Sequence, residues 1–298
     1  MTPSDPPEID PFEWSCPLCK SGNHTVAYDL REKFTWFAVP GLILRCADCG
    51  MWYKALAPDE SLDDAYGEEY AEKVGHTDYM EHESTRGFFQ KLLARIEGVD
   101  AENAPRLLDI GAGTGTFIEE AAKLGYDAEG IELSEGLVEI ARQKGRNVRQ
   151  QDVNDLDQQD QYDVITLLDI IEHVTDPVAI LKSLHGNLKP GGTLVIFTPN
   201  HGSSVVLIAR ILEKIGIRFP VREIFGSNHV CFFDTKTLPK AIEAAGFQVD
   251  SVWKFPYDVS RPGQPMSLLN LIVATLSDWI GYPFGTVFRM VHYARKSE

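Results

Sequence analysis

LLDIGAGTGTF, residues 107–117, is the stretch that decides the fold of this sequence. An apolar run that includes Asp109 is followed by glycine at three alternate positions, Gly111, Gly113 and Gly115. Because glycine has no Cβ, such a loop lets a ligand approach the main chain, and a following helix offers unpaired amides. A dinucleotide fingerprint, G-x-G-x-x-G, would place its third glycine one residue later, and a P-loop would require Gly-Lys-Ser/Thr. The loop therefore predicts a different kind of ligand.

From residue 105 onward, segments typical of strands and helices alternate, which predicts a doubly wound, mostly parallel α/β sheet covered on both faces. The predicted strands are residues 106–110, 128–132, 147–150, 163–168, 193–198 and 247–255. The predicted helices between them are 115–124, 135–144 and 177–188, and KPGG at 189–192 is predicted to form a turn.

The composition restricts the partners and the location. A formal charge of −16 over 298 residues disfavours nucleic acid, since proteins that bind it usually carry a basic face. The first residues, MTPSDPPEIDPFEW, lack the basic region and apolar core of a secretory signal. No uninterrupted apolar run reaches the roughly 18 residues of a membrane-spanning helix. We therefore predict a cytoplasmic protein.

Four of the five cysteines form two pairs, CPLC (Cys16 and Cys19) and CADC (Cys46 and Cys49). In a reducing compartment, two C-x2-C loops are better explained by a tetrahedral Zn²⁺ site than by disulfides. Four thiolates fill the coordination shell of zinc, so the ion is predicted to be structural.

The predicted organisation has four parts. Residues 1–55 are the zinc ribbon, and residues 56–104 are a helical lid or linker. Residues 105–256 are the ligand-binding sheet domain, which contains an insertion at 201–227, and residues 257–298 are an apolar tail.

At this point a family resemblance is clear. The D-x-G-x-G-x-G pattern resembles the first motif of class I S-adenosylmethionine-dependent methyltransferases. Three later stretches, 165–177, 188–200 and 228–247, resemble the branch that includes ubiquinone-biosynthesis methyltransferases, and the ribbon resembles that of sugar C-methyltransferases. The resemblance implies a seven-stranded, Rossmann-like sheet with S-adenosylmethionine as its cofactor.

The resemblance also implies a cofactor site. The glycines would pack against the methionine part and the ribose, and Asp109 would lie near the amino group of the cofactor. Glu132 matches the residue that accepts hydrogen bonds from both ribose hydroxyls, which suits an acceptor-only carboxylate. Asp152 matches the residue beside the adenine amino group. The other implied cofactor residues are Ala112, Leu133, Val153 and Leu168.

A general base is needed only when the methyl acceptor must lose a proton. The candidates are His229, His173 and Asp169, and a structural role for each histidine is the alternative. We favour His229, because zinc-ribbon sugar C-methyltransferases carry a Glu-His pair here. This chain has Asn228 before His229, a departure that disfavours methylation of a ketosugar carbon.

The predicted reaction is O-methylation of a small-molecule acceptor: a saccharide, a lipid-linked molecule or an aromatic metabolite. The alternatives are sugar C-methylation, RNA methylation and a zinc-ribbon scaffold with a vestigial cofactor site. The resemblance implies that the insertion at 201–227 is an acceptor lid. This apolar insertion and the tail, which combines aromatic and basic residues, are consistent with peripheral membrane contact. Packing as an ordinary cap or as a homodimer interface is the alternative.

Overall fold

The computed structural model describes residues 9–31, 39–56, 81–99, 103–157, 159–256, 275 and 277–297. The strands are β1 (His24–Leu30), β2 (Gly41–Cys46), β3 (Trp52–Leu56), β4 (Arg106–Ile110), β5 (Asp127–Glu132), β6 (Val148–Gln150), β7 (Tyr162–Leu168), β8 (Leu188–Pro199), β9 (Cys231–Phe232), β10 (Phe247–Phe255) and β11 (Arg289–Lys296). The helices are α1 (Glu83–Leu93), α2 (Thr116–Lys123), α3 (Glu135–Gln143), α4 (Pro177–Asn187), α5 (Ser204–Lys214), α6 (Phe219–Phe225) and α7 (Thr237–Ala244). Short 3₁₀ turns cover Pro11–Glu13, Val153–Asp155, Ile171–His173 and Tyr282–Phe284.

The larger sheet has seven strands in the order β10-β11-β8-β7-β4-β5-β6. Neighbouring strands from β8 to β6 are parallel, whereas β11 is antiparallel to both β8 and β10. This arrangement confirms the predicted α/β fold with a mostly parallel sheet. The carboxyl ends of β4, β5 and β7 meet at one edge, where open α/β sheets bind their ligands.

Both faces of this sheet are buried. Leu107 and Val164 lie in one apolar core with α1, α2 and α3, whereas Leu108 and Ile165 lie in a second core with α4 and α7. Adjacent residues of a strand point to opposite faces, so a strand buried on both sides is apolar at consecutive positions. For this reason the core strands of the sheet can be recognised in the sequence as short runs of apolar residues.

One strand of the larger sheet, β11, lies in the segment that was predicted to be an apolar tail. Residues 289–296 of that tail form β11, which lies between β8 and β10 instead of at an interface. Met290, Val291, His292 and Ala294 are fully buried because the strand is covered on both faces. KPGG also differs from the prediction, because it lies inside β8, where Gly191 adopts a φ of 74°.

The ribbon forms a second sheet of four antiparallel strands in the order β1-β2-β3-β9. Its fourth strand comes from the segment after the 201–227 insertion, with Tyr53 opposite Cys231. Ribbon residues such as Leu44 and Met51 also share an apolar core with the parallel sheet. The ribbon is therefore joined to the larger sheet domain by backbone pairing and by a common core.

The insertion at 201–227 forms α5 and α6. Their buried residues, Val206 and Phe225, pack against Ile43 of the ribbon, while Leu207 and Ile211 are exposed. Of the predicted lid at 56–104, residues 57–80 and 100–102 lie outside the described residues, as do residues 257–274 of the tail. Among the helices that are described, none combines the length and the hydropathy needed to cross a bilayer.

Deletion of residues 289–298 tests the placement of β11. The deletion would leave unpaired edges on β8 and β10, so we expect loss of the cooperative thermal transition and aggregation. Deletion of residues 297–298 alone is the control and should leave the transition unchanged. A soluble protein with an intact transition after the longer deletion would contradict this topology.

Candidate functional site

The glycine loop lies at the carboxyl edge of the parallel sheet, between β4 and α2. The amides of Gly111 and Ala112 donate to the carbonyl oxygen of Ile131 at 2.9 and 3.0 Å, which joins the loop to the neighbouring strand β5. Gly111, Gly113 and Gly115 all have positive φ, at 69°, 56° and 77°. Only glycine adopts this conformation readily, so the backbone path itself requires the three glycines.

The three glycines differ in what surrounds them. A Cβ at Gly111 would lie 2.1 Å from Ile170 Cδ1, and a Cβ at Gly115 would lie 2.9 Å from Val148 Cγ2. A Cβ at Gly113 would meet no atom within 4 Å. Gly111 and Gly115 therefore permit close packing within the protein, whereas Gly113 exposes bare main chain that a ligand can approach.

Glu132 closes β5 beside this open position. Its carboxylate accepts hydrogen bonds from the amides of Gly113 at 2.9 Å, Leu133 at 2.8 Å and Ser134 at 3.0 Å. These bonds hold a half-buried carboxylate at the rim of the loop, while the Leu133 side chain is 52% exposed. A negatively charged acceptor and an exposed apolar side chain thus lie side by side at the end of β5.

Asp109 lies beneath the loop, in β4. Its side chain is buried, and Thr166 Oγ1 donates to Oδ1 at 2.5 Å. Burial raises the pKa of Asp109 to about 7, and the nearby negative charge of Glu132 acts in the same direction. Asp109 therefore takes up or releases a proton near neutral pH, and a cationic group beside it would favour the charged form.

The other predicted cofactor residues lie along the same edge. Asp152 caps the turn at Val153–Asp155 and accepts from the Asn154 amide at 2.8 Å. Val153 is half-buried against the core, and Leu168 is the half-buried last residue of β7. The structure thus gathers the predicted cofactor residues at the ends of β4, β5, β6 and β7.

An ionic network behind the glycine loop was not predicted. Arg146 Nη1 donates to the carbonyl oxygen of Thr114 at 2.8 Å, to Thr116 Oγ1 at 3.2 Å and to Glu81 Oε1 at 2.7 Å. The Arg146 guanidinium keeps the pKa of Glu81 far below its usual range. Arg146 and Glu81 thereby support the loop from its buried side. No local sequence signal identifies them, because the partners are 65 residues apart.

A histidine cluster lies beyond the carboxyl end of β7. His173 belongs to the turn Ile171–His173 after β7, and His229 precedes β9. Their ring centroids are 4.6 Å apart and their ring planes meet at 81°. The ring centroid of His201 lies 6.4 Å from that of His229. The fold thus brings two of the predicted base candidates into contact, although they are far apart in the sequence.

The cluster includes a buried carboxylate. Glu172 is 1% exposed, Thr198 Oγ1 donates to its Oε2 at 2.9 Å, and its Oε1 has no hydrogen-bond partner in the described part of the chain. Burial raises the pKa of Glu172 well above its usual value. Donor atoms of Glu172, His173 and His229 all lie within 4.8 Å of one another, close enough to hold a single cation.

Burial also determines the charge of the imidazoles. It lowers the pKa of His173 to about 4 and that of His229 well below its usual value. Both rings are therefore neutral at pH 7, and a neutral imidazole has a lone pair that can accept a proton. Asp169, the third candidate, is exposed at the end of β7, with a φ of 57°.

The four ribbon cysteines form a candidate metal centre. Sγ atoms are 3.5 Å apart both between Cys16 and Cys49 and between Cys19 and Cys46, and all four lie within 4.8 Å of one another. Tetrahedral zinc with Zn–S bonds of about 2.3 Å requires sulfurs about 3.8 Å apart, so the four thiols fit that ion. This four-cysteine cluster supports the predicted structural Zn²⁺.

The titration of Asp109 has a consequence for stability. An unfolded aspartate has a pKa of about 3.9. Because the folded value is about 7, the folded state binds this proton more tightly, and its contribution to stability is lost as pH rises through about 7. In the ligand-free protein, Asp109→Asn should abolish this loss.

The measurement is the urea unfolding free energy of wild type and Asp109→Asn at about pH 5 and about pH 8. We expect the difference between the two proteins to change by about 2–3 kcal/mol across that interval. Asp127→Asn, at a 67% exposed side chain of the adjacent strand, is the control. A difference that does not vary with pH would contradict the raised pKa.

Comparison with known proteins identifies a methyltransferase domain in this chain. The methyltransferase domain family matches residues 80–252, more than half of the chain. The ubiquinone biosynthesis O-methyltransferase of Xanthomonas axonopodis pv. citri is 33% identical over 180 residues, 56% of this chain and 74% of that protein.

Solved structures share the fold. A chain from the complex between the Haloferax volcanii Trm112 methyltransferase activator and a methyltransferase has a TM-score of 0.57 at 16% identity, covering 80% of this chain and 98% of that one. An S-adenosylmethionine-dependent methyltransferase from Archaeoglobus fulgidus has a TM-score of 0.52 at 19% identity, covering 76% and 98%. The sequence match and the fold together show that this chain belongs to the class I S-adenosylmethionine-dependent methyltransferases.

Proposed function

We propose that this methyltransferase transfers its methyl group to an oxygen of a small-molecule acceptor. The observation that carries the proposal is the open main chain at Gly113 beside the Glu132 carboxylate, together with the cluster of neutral imidazoles that follows the carboxyl end of β7. S-adenosylmethionine supplies a sulfonium methyl group that is already activated. The chain then has to bind the cofactor, exclude water, align the acceptor oxygen and take up its proton.

In this proposal the exposed main chain of Gly113 would contact the cofactor. Glu132 would accept hydrogen bonds from the ribose hydroxyls. Its Oε2 accepts only the Gly113 amide and keeps one lone-pair site, whereas its Oε1 accepts the Leu133 and Ser134 amides, so a second hydroxyl would replace one of those two bonds. Leu133 and Val153 would flank the adenine, and Asp152 would hold its amino group. Asp109 supports the methionine end, with Gly111, Ala112, Gly115 and Leu168 completing the site.

His229 is the proposed base. Bound S-adenosylmethionine would supply the methyl group, and the proton lost by the acceptor hydroxyl would pass to the neutral imidazole of His229. Its Nδ1 is buried and has no hydrogen-bond partner among the described residues, so Nε2 is the ring nitrogen that an acceptor would have to reach. His173 packs against the His229 ring and orients it, and Asp169 directly follows β7.

The acceptor is proposed from two observations. The matched curated relatives are named ubiquinone biosynthesis O-methyltransferases, which favours a hydroxylated aromatic or lipid-linked acceptor. Leu207, Ile211 and Phe219 on α5 and α6 are more than half exposed, which suits an apolar acceptor or contact with a membrane surface. A saccharide remains the second class, and a homodimer would cover the same apolar side chains.

Substitution of Glu132 tests the cofactor site. Glu132→Gln removes the charge and replaces one acceptor oxygen by a donor, so the dissociation constant for S-adenosylhomocysteine should rise by about tenfold or more. Isothermal titration calorimetry measures it, with circular dichroism to verify folding. The control is Glu135→Gln, at an exposed carboxylate in the first turn of α3. Equal affinity in wild type and Glu132→Gln would refute the ribose assignment.

Substitution of His229 tests the reaction. With methyl-labelled S-adenosylmethionine and a panel of catechols and hydroxylated sugars, wild type should label a hydroxyl oxygen. His229→Ala should lower kcat by on the order of 100-fold without weakening cofactor binding, because only proton transfer is lost. His185→Ala, a half-buried histidine in α4, is the control. Full turnover by His229→Ala would exclude it as the base, and label on carbon would exclude O-methylation.

A further inference from the structure

Lys54 belongs to ribbon strand β3, yet its side chain reaches the loop that carries His229. The residue is 2% exposed. Its ammonium donates to the carbonyl oxygen of Val39 at 3.1 Å and to that of Ser227. A buried ammonium is tolerated only where hydrogen bonds replace its lost water, so these carbonyls fix its position.

The main chain of Lys54 is bonded to the same loop. Its amide donates to the carbonyl oxygen of Val230 at 2.8 Å. Lys54 therefore contacts both ends of the short loop 227–230, with Ser227 at one end and Val230 at the other. The pairing of β3 with β9 begins directly after this loop, with Tyr53 opposite Cys231.

The inner residues of loop 227–230 contact the histidine cluster. The Val230 amide donates to the carbonyl oxygen of Glu172 at 2.8 Å, and His173 Nδ1 lies 3.4 Å from the carbonyl oxygen of Asn228. The His229 ring packs edge-on against His173. A displacement of this loop would therefore move both imidazoles relative to each other.

The ribbon also leaves space for the Lys54 side chain. A Cβ at Gly41, on the adjacent strand β2, would lie 2.6 Å from Lys54 Cγ. Glycine at this position lets the aliphatic part of Lys54 cross β2. Burial lowers the pKa of Lys54 to about 7, and its protonated form is close enough to His173 and His229 to help lower their pKa values.

We propose that Lys54 is a positioning residue for methyl transfer, through which the zinc ribbon holds the His229 loop in its catalytic geometry. The inference rests on the proposed role of His229. Through Lys54 the ribbon contributes to the reaction, because β3 belongs to the ribbon sheet that carries the four-cysteine cluster. Lys54 itself acts through the loop 227–230.

The direct test uses histidine ring signals. In protein labelled with ¹³C at the imidazole Cε1, Lys54→Met should shift the His173 and His229 signals and leave those of His185 and His292 in place. Lys54→Arg, which keeps the charge, should resemble wild type. The matched control is Lys240→Met, because exposed Lys240 also reaches the ribbon, donating to the carbonyl oxygen of Cys49 at 3.2 Å.

Turnover provides the second readout, with a catechol accepted by wild type as the probe. Lys54→Met should lower kcat by on the order of tenfold while KM for S-adenosylmethionine and the zinc content stay unchanged, since only the alignment of the base is lost. If Lys54→Met does not fold, Lys54→Gln, a neutral side chain with an amide donor, takes its place with the same expectation.

The outcomes separate this proposal from the proposed function. Unmoved His229 signals, or equal effects in Lys54→Met and Lys240→Met, would overturn the role of Lys54 even in an active enzyme. If the signals shift in a protein that methylates no hydroxyl, Lys54 holds the loop 227–230 in place, but its proposed role in methyl transfer is overturned. Failure of wild type to bind S-adenosylhomocysteine would instead refute the cofactor site.

Discussion

The hydrogen bond between the Gly113 amide and the Glu132 carboxylate is the constraint on which the rest of the site depends. It spans 2.9 Å and joins the loop after β4 to the end of β5. Parallel strands in register, with Ile110 opposite Ile131, bring the two groups together. The positive φ of Gly113 then presents main chain where any other residue would present a side chain.

The histidine cluster, where the proposed base lies, is positioned by strand pairing between the ribbon and the larger sheet domain. The four-stranded ribbon sheet takes its last strand, β9, from the methyltransferase domain, so the loop with His229 lies at the junction of the two sheets. Burial there keeps the imidazoles neutral, which a proton acceptor needs. In the proposed mechanism, the ribbon influences the reaction through the pairing of β3 with β9 and through the Lys54 side chain, although its metal centre is not at the reacting atoms.

The sequence predicted the parts of the fold that arise from local patterns. Strands such as Arg106–Ile110 are readable because both faces are buried, and the glycine spacing predicted the loop beside Glu132. The strand Arg289–Lys296 was missed, because its basic ends resemble an interfacial tail when its neighbours β8 and β10 are unknown. Lys54 carried no signal, since its partner Ser227 is 173 residues away.

The most direct test of the central claim is an experimental structure with S-adenosylhomocysteine bound. The nucleoside should lie over the main chain of Gly113, with both ribose hydroxyls donating to the carboxylate of Glu132 and the adenine next to Leu133. A ligand bound elsewhere on the chain, or a ribose without contact to Glu132, would contradict this account of the site.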